Sequence, residues 1–293
     1  MLHIVADSYG CSTERLDNLK DVYEVINRVV NDMGLKAIMP PQLIPYYYCT
    51  DPDDVGISAF ILLKGGHFTI HTFPKYGCYF ADLVYDGFIA KEKLEPLLER
   101  EFPCDSLHIK TIHRDRFDGD DIKDAYELAD FGPHYMISAK PDHVPTLEEY
   151  MNILDNMPEK VGMHPITRPC VLHDTIRNPK YLSGIAVIAE SHIAMHYCYE
   201  TGEVLMDIFS CKTVDEKKYA KAMADMFGTD YRDVLIRRGR RNKQRTHCYY
   251  ASRSFGYTRK RRADGRRVWK IHLYFRGKRQ EKYRNAFRSG KLR

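Results

Sequence analysis

A tandem repeat within residues 1–236 constrains the fold of this chain more than any other feature of its sequence. The repeat starts, His3-Ile4-Val5 and His134-Tyr135-Met136, resemble each other at an offset of 131 residues. Further along, five identical residue pairs share an offset of 125: Ser58/Ser183, His67/His192, His71/His196, Gly77/Gly202 and Asp82/Asp207. Five identical residue pairs at one offset, spread over two strand-like segments, rarely arise by chance. The pattern therefore indicates one structural unit present twice.

Each copy shows the same order of predicted elements. Apolar residues at three- and four-residue spacing predict amphipathic helices, and apolar runs bounded by turn residues predict strands. The predicted helices cover 14–33 and 90–102 in the first copy, and 146–157 and 214–227 in the second. The predicted strands, after a starting strand in each copy, cover about 57–64, 67–73, 78–85 and 107–112, then 183–190, 192–198, 203–210 and 232–236. We expect an α/β (α+β) fold in which two two-layer repeats pack sheet to sheet as a four-layer αββα sandwich.

The overall composition is that of a globular protein. Hydrophobic residues make up 44% of the chain and charged residues 29%, which excludes global disorder. Every apolar run is shorter than the ~18 residues that a membrane span needs, and the first residues predict a strand instead of a signal peptide. The eight cysteines include no CxxC pair. We therefore expect a cytoplasmic protein with reduced thiols and no membrane partner.

Charge separates the repeats from the C-terminal segment. Residues 237–293 contain 22 Lys and Arg against two acids, a formal charge of +20, and the net charge of +5 therefore leaves −15 on residues 1–236. We predict three domains: a first repeat over 1–128, a second repeat over 129–236, and a basic extension over 237–293. In the extension, alternating residues predict two strands over 249–259 and 268–275, with a turn at 263–265.

The sequence around Ser191 is the most informative about chemistry. It contains Glu190-Ser-His-Ile, then His196 five residues after the serine and Cys211 twenty residues after it, while Ser183 lies eight residues before it. This spacing resembles the signature of the pyruvoyl-dependent S-adenosylmethionine decarboxylases. The first copy supplies His71-Thr-Phe-Pro-Lys-Tyr-Gly, close to the family's His-Thr-Trp-Pro-Glu-(Tyr/His)-Gly. The resemblance covers about residues 1–236.

The resemblance implies that the chain makes its own cofactor by cutting itself. The Ser191 hydroxyl would attack the carbonyl of Glu190, and β-elimination would leave a pyruvoyl group at the new N-terminus of residues 191–293. The substrate amine would form a Schiff base with this group, which accepts the electrons released by decarboxylation. Cys211 would then protonate the carbanion, a role that suits a thiol with an ordinary pKa of ~8.5. The implied enzyme is an S-adenosylmethionine decarboxylase of polyamine (spermidine) biosynthesis.

The two copies differ at the positions that make the cofactor. Gly66 occupies the position of Ser191, and Asp86 occupies that of Cys211, so the first copy cannot perform the acyl shift. In the family, the processing Ser and His come from the half that faces the pyruvoyl. The resemblance therefore implies a pocket that joins Ser191 and Cys211 with Ser58 and His71. We also predict Ser183 and His196, the counterparts of Ser58 and His71 in the second copy, as catalytic residues.

The substrate-binding positions depart from the family pattern. The glutamate that holds the ribose hydroxyls in the family is Lys75 in the first copy and remains only as Glu200 in the second. Lysine cannot accept hydrogen bonds from a ribose diol. Either Glu200 serves through a homodimer, or the substrate differs. Tyr48 lies near the position where the family places an adenine-stacking aromatic residue.

Several alternatives remain open at this stage. An arginine or ornithine decarboxylase on the same scaffold fits the Lys75 departure, and a non-catalytic nucleic-acid-binding relative fits the basic extension. Aromatic residues interleaved with Arg and Lys over 237–293 favour nucleic acid or another polyanion as a partner, and a docking tail on the acidic repeats is the rival hypothesis. His192 and His196 lie on one face of a predicted strand, and we expect no metal to be required.

Overall fold

The computed structural model describes residues 1–45, 55–114, 132–228, 230–238, 253–261 and 267–275, and for the last two ranges and Arg237 it describes the backbone alone. The chain divides into two compact units, Met1–Arg241 and Asn242–Arg293. Within the described ranges, no helix combines the length and apolar character of a membrane span.

The first repeat forms one six-stranded sheet with its helices on one face. Its strands are β1 (Leu2–Tyr9), β2 (Gln42–Pro45), β3 (Ile57–Leu63), β4 (Gly66–Phe73), β5 (Cys78–Tyr85) and β6 (Ser106–His113). Its helices are α1 (Thr13–Leu16), α2 (Leu19–Asp32) and α3 (Lys91–Glu101). The strand order is β2-β3-β4-β5-β1-β6, and all neighbouring strands are antiparallel.

The second repeat forms an equivalent sheet. Its strands are β7 (Gly132–Ala139), β8 (Cys170–His173), β9 (Tyr181–Ile188), β10 (Ser191–Cys198), β11 (Glu203–Ser210) and β12 (Tyr231–Arg238), and its helices are α4 (Leu147–Lys160) and α5 (Glu216–Phe227). The order β12-β7-β11-β10-β9-β8 is that of the first sheet read from the other edge. The duplication and the α/β fold class inferred from the sequence are confirmed. The short edge strands β2 and β8 were not predicted.

Local capping interactions determine where the helices begin. The prediction of one helix over 14–33 is wrong, because Asn18 accepts hydrogen bonds from the backbone N–H groups of Lys20 and Asp21 and so starts α2 as a separate helix. At the start of α4, Thr146 and Glu149 cap each other's backbone N–H groups in a capping box. The buried faces of α2 and α3 pack on the outer face of the first sheet, and those of α4 and α5 pack on the second.

The inner faces of the two sheets pack against each other, which gives the expected four layers. Two apolar clusters contain residues of both sheets: one is Phe60, Leu62, Ile185, Val187 and Ala194, and the other is Val5, Ile112, Met136, Val234 and Ile236. These ten side chains are all at least nine-tenths buried. Burial of this apolar surface holds the repeats together, at roughly 25 cal/mol for each Å² removed from water.

Two buried arginines cross between the sheets in a reciprocal arrangement. Arg114, just after β6, donates to the carbonyls of Ile137 and Met206 in the second repeat. Arg238, at the end of β12, donates to the carbonyls of Ala6 and Ala81 in the first repeat. Offsets of 131 and 125 relate these two pairs of carbonyls, as they relate the repeats. The polar contacts between the sheets therefore follow the duplication.

Arg238 also carries the main ion pair of the interface. Its guanidinium lies 2.5 Å from a carboxylate oxygen of Asp82 and 2.6 Å from one of Asp7. The domain boundary predicted from charge, after residue 236, assigns Arg238 to the extension, whereas the structure places its side chain inside the repeats. A truncation that preserves the repeats must therefore retain residues up to Arg241.

Replacing Arg238 should destabilise the repeats more than replacing an exposed arginine of the same strand. Arg238→Leu leaves the fully buried Asp82 without its guanidinium partner, and breaking a buried pair costs about 3–5 kcal/mol of unfolding free energy. Arg232→Leu, at an exposed position of β12, is the matched control. Urea unfolding of both variants measures the difference. Equal midpoints would show that the buried ion pair does not stabilise the interface.

Candidate active site

Ser191 lies at the start of β10, directly after a tight turn, in a strained backbone conformation. Its φ angle is +149°, a region that residues with a side chain rarely adopt, and such strain costs of order 1–3 kcal/mol. The side chain is fully buried, and Ser191 Oγ has no hydrogen-bond partner among the described residues. A buried, unpaired hydroxyl on a strained residue is suited to nucleophilic attack, because its own ground state is poorly stabilised.

The peptide bond before Ser191 is held in place from both sides. The Cys211 backbone N–H donates to the Glu190 carbonyl at 2.8 Å, and this contact polarises the carbon that the resemblance makes the target of attack. The Glu190 carboxylate accepts from the backbone N–H of His164 at 3.1 Å and lies 2.8 Å from its Nδ1. The predicted cleavage site is thus a fixed turn with a backbone donor on its carbonyl.

A chain of buried side chains runs from the first repeat toward the strand that carries Ser191. Ser58 Oγ lies 2.9 Å from His71 Nδ1, and His71 Nε2 lies 2.7 Å from His192 Nδ1. His192 Nε2 in turn lies 3.2 Å from a carboxylate oxygen of Asp207. We call Ser58, His71, His192 and Asp207 the first relay. The structure therefore brings the predicted pair from the first copy next to the residue that follows Ser191.

The pseudosymmetric chain, which we call the second relay, contains the other two predicted side chains. Ser183 Oγ lies 2.9 Å from His196 Nδ1, and His196 Nε2 lies 2.7 Å from His67 Nδ1. His67 Nε2 lies 3.8 Å from the same oxygen of Asp207. Ser183 and His196 thus lie at the Gly66 end of the interface, and Ser58 and His71 lie at the Ser191 end. The resemblance implies a pairing across copies of this kind, and that assignment stays a prediction.

Cys211 lies immediately after β11, half-buried, and contacts the first repeat. It packs against a cluster of buried side chains from both copies: Phe73, Cys78, Phe80 and Phe209, with Tyr9 beside them. Because its backbone N–H holds the Glu190 carbonyl, its position is tied to that of the cleavage site. Cys211 and Ser191 therefore belong to one locality at the interface between the sheets.

The corresponding locality around Gly66 is closed. A Cβ atom at Gly66 would lie 1.9 Å from the backbone oxygen of Val84, so the position accepts no side chain without a shift of backbone. The Tyr181 ring lies against Gly65, and its hydroxyl donates to Asp86, which takes the place of Cys211. The residue that corresponds to Tyr181 in the first copy is Gly56, which has no side chain to close the other locality. The localities around Gly66 and Ser191 therefore differ in the space they leave for a side chain as well as in their chemical groups.

The predicted substrate-binding residues are not brought together. Because His71 contacts His192 and His67 contacts His196, β4 and β10 run in opposite directions across the interface. Lys75, just beyond β4, is therefore at the Ser191 end, and Glu200, just beyond β10, is at the Gly66 end. Glu200 is 68% exposed and lies 3.4 Å from Lys180. Tyr48 lies outside the described residues.

A buried layer of ionisable groups between the sheets was missed by the sequence analysis as a functional unit. Its members are fully or almost fully buried: His3, His67, His71, His134, His192, His196, Asp82, Asp207, Arg114 and Arg238. The identical pairs of the repeat included His67/His192 and Asp82/Asp207. Polar residues that are identical in both copies and lie within otherwise apolar strands were the signal that could have revealed this layer. The repeat alignment gave no sign that either arginine is buried.

The environment of this layer sets the charge of its members. Burial lowers the pKa of His71 well below its ordinary value, and it lowers the pKa of His134 to about 4 and that of His196 to about 3. Burial raises the pKa of Asp82, but Arg238 and the nearby histidines outweigh it and hold the pKa well below its ordinary value. These three histidines are therefore neutral at pH 7, when a neutral imidazole can accept a proton.

Two sets of these side chains have the spacing of metal ligands. In each set the ligand atoms lie within 4.8 Å of one another: His3, Asp82 and His134 in one, and His67, His192 and Asp207 in the other. Arg238 already neutralises Asp82 in the first set. The second set is therefore the better candidate for a divalent cation. The expectation that the chemistry requires no metal remains a prediction.

The buried histidines should make the protein sensitive to acid. Five of them have lowered pKa values, so they stay neutral in the folded protein but become protonated in the unfolded chain below the ordinary pKa of about 6.5. The unfolding free energy should therefore fall from pH 7.5 to 5, by up to ~1.4 kcal/mol per pH unit for each such histidine. The lowered pKa values of Asp82 and Asp207 add a further loss only below about pH 4.

Urea unfolding at pH 7.5, 6 and 5 measures this dependence. His143→Gln, at an exposed histidine, is the control and should keep the full pH dependence. An unfolding free energy that is constant between pH 7.5 and 5 would contradict a buried layer of neutral histidines.

The family model and the curated relatives indicate one family. The family model for S-adenosylmethionine decarboxylase matches residues 2–115 and 136–239, which correspond to the two repeats. The S-adenosylmethionine decarboxylase proenzyme of Thermotoga maritima is 28% identical over 113 residues, or 38% of this chain and 77% of its own length. That of Persephonella marina is 33% identical over 98 residues, or 33% of this chain and 67% of its own.

A solved structure of the adenosylmethionine decarboxylase from Aquifex aeolicus is also similar, with 21% identity and a TM-score of 0.32, covering 38% of this chain and 86% of that one. The family model spans more than half of the chain, in two segments that match its two repeats. This chain belongs to the S-adenosylmethionine decarboxylase family.

Proposed function

We propose that the protein is a self-cleaving, pyruvoyl-dependent decarboxylase that acts on S-adenosylmethionine in spermidine biosynthesis. The observation that carries the proposal is the geometry at Ser191. A strained serine with a buried, unpaired hydroxyl follows a carbonyl held by the Cys211 backbone N–H, next to a His–Ser pair from the facing repeat. The names of the similar proenzymes support the same chemistry.

Cleavage begins with an N→O acyl shift at Glu190-Ser191. Ser191 Oγ attacks the Glu190 carbonyl carbon, the C–N bond breaks, and an ester replaces the peptide bond, while the hydroxyl proton is transferred to the released amine. The Cys211 N–H stabilises the negative charge that develops on the carbonyl oxygen. Because the ester frees Ser191 from its strained φ angle, part of the strain energy lowers the barrier.

β-Elimination then separates the two chains. A base removes the α-proton of residue 191, the C–O bond breaks, and residues 1–190 leave with a free carboxylate. Hydrolysis of the remaining dehydroalanine consumes water, releases ammonia and leaves the pyruvoyl group. We assign the base to His71, whose burial keeps it neutral and whose Nδ1 is held by Ser58. His192 and Asp207 orient the His71 ring from its other nitrogen.

The residues around this position then serve decarboxylation. A pyruvoyl group supplies the electron sink that stabilises the carbanion left by loss of CO₂. The half-buried Cys211 thiol is the acid that returns a proton to carbon. The phenylalanine cluster next to Cys211 excludes water, which protects that proton transfer from competition. Each chain has one such site, because Tyr181 and Asp86 close the other.

The first test of the proposal is the mass of the purified protein under denaturing conditions. Wild-type protein should separate into chains 1–190 and 191–293, whereas Ser191→Ala, which lacks the nucleophile, should remain a single chain. Ser183→Ala is the matched control, because its hydroxyl belongs to the second relay, and it should cleave. A wild-type chain that stays intact after long incubation would rule out self-cleavage.

The second test separates the two relays. His71→Ala should slow cleavage by at least ~100-fold, the lower range of a lost general base. His196→Ala, its pseudosymmetric counterpart, should slow cleavage far less than His71→Ala, because His196 lies at the Gly66 end of the interface. A time course of chain separation by mass spectrometry gives both rates. The reverse ranking would place the working site between two second copies in a dimer.

The third test concerns the substrate and Cys211. Cleaved wild-type protein should release labelled CO₂ from S-adenosylmethionine, while Cys211→Ala should still cleave yet lose at least ~100-fold in turnover. Release of CO₂ from arginine or ornithine instead would support the proposed decarboxylation chemistry and show that the proposed substrate is wrong. That outcome would agree with Lys75 in place of the ribose-binding glutamate.

A further inference from the structure

Residues 242–293 form a compact unit of their own, with a composition unlike that of the repeats. The wider segment 237–293 contains 22 Lys and Arg and two acids. Within this unit the structure describes two antiparallel strands, β13 (Arg253–Arg261) and β14 (Arg267–Phe275), neither of which contains an acidic residue. The unit contains none of the residues assigned to cleavage or decarboxylation.

The register of this hairpin separates its residues into two unlike faces. Phe255 pairs with Leu273, Tyr257 with Ile271, and Arg259 with Trp269. Residues directly opposite each other in an antiparallel pair share a face of the sheet. One face therefore carries most of the aromatic and aliphatic residues, together with four arginines. We call this the aromatic face.

The opposite face is polar and basic. Its positions are Ser254, Gly256, Thr258 and Lys260 on β13, with Val268, Lys270, His272 and Tyr274 on β14. A two-stranded hairpin is only marginally stable in water by itself. Among the described residues of this unit, no further strand or helix accompanies the hairpin, and the high positive charge of the unit favours an anion as the partner of the aromatic face.

We propose that residues 242–293 bind single-stranded nucleic acid, with the aromatic face as a surface on which bases stack. Aromatic rings accept any base by stacking, and Lys and Arg neutralise the phosphates that connect successive bases. An acidic protein partner would use the charges without the aromatic face, and an apolar partner would use the face without the charges. Single-stranded nucleic acid uses both.

The experiment compares the full chain with a truncation after Arg241, which retains the buried Arg238. The probe is a fluorescent 20-nucleotide oligo-dT, with the matching oligo-dT·oligo-dA duplex as a second probe. Contact with six phosphates of a single strand gives a salt slope of about −4, so a rise from 50 to 200 mM salt should weaken binding roughly 300-fold. The truncated protein should bind neither probe and should still cleave at Glu190-Ser191, which makes the outcome independent of the proposed enzyme activity.

Substitutions on the two faces test the stacking surface. Trp269→Ala should weaken binding to the single strand by about 5- to 150-fold, the range for one stacked base, with little change in salt slope. Tyr274→Ala removes an aromatic ring from the opposite face of the same strand and is the matched control. It should change binding by less than about twofold, since stacking is confined to the aromatic face.

Four outcomes would overturn the proposal: absence of salt-dependent binding by the full chain, equal binding by the truncated protein, preference for the duplex, or equal losses for Trp269→Ala and Tyr274→Ala. Binding to phosphatidylserine vesicles without binding to the oligonucleotide would assign the segment to membranes instead. A truncation that lowers the urea midpoint of the repeats, with no oligonucleotide binding by the full chain, would identify a docking tail.

Discussion

The fold depends on a layer of hydrogen-bonded ionisable groups buried between two otherwise apolar sheets. Apolar clusters supply most of the attraction between the sheets, but such surfaces tolerate many alignments. The two His–His contacts, of 2.7 Å each, and the Arg238–Asp82 ion pair favour one alignment, because another would break these contacts between buried groups. The same contacts hold β4 and β10 in the alignment that brings His71 toward Ser191.

This layer also explains how one chain retains two relays but one candidate site. The relays share Asp207 and support the interface, so the loss of either would leave buried groups without partners. The residues that distinguish the two ends lie outside the layer, at the starts of β4 and β10 and just after β5 and β11. Glycine at position 66 and serine at position 191 can therefore differ without removing any side chain of the layer. The residues for cleavage could therefore be lost at one end of the interface while the buried polar layer was retained at both ends.

The sequence was sufficient for the fold class, because repeat identities and strand periodicity are local properties of the chain. It was less reliable for α1 and α2, because the cap at Asn18 interrupts an apolar pattern that continues through it. The pairing of His71 with His192 joins residues 121 positions apart, and only the resemblance pointed to it. Arg238 lies in a run of basic residues that looks like part of the extension, and its burial depends on Asp7 and Asp82 in the other repeat.

The central claim is that both repeats of one chain build a single site, with Ser191 from the second and His71 from the first. Mixing uncleaved Ser191→Ala and His71→Ala proteins, followed by mass spectrometry of the products, tests it most directly. The account predicts no faster cleavage in the mixture than in His71→Ala alone, because neither chain holds both residues. Rapid cleavage on mixing would contradict it, since His71 of one chain would then serve Ser191 of another.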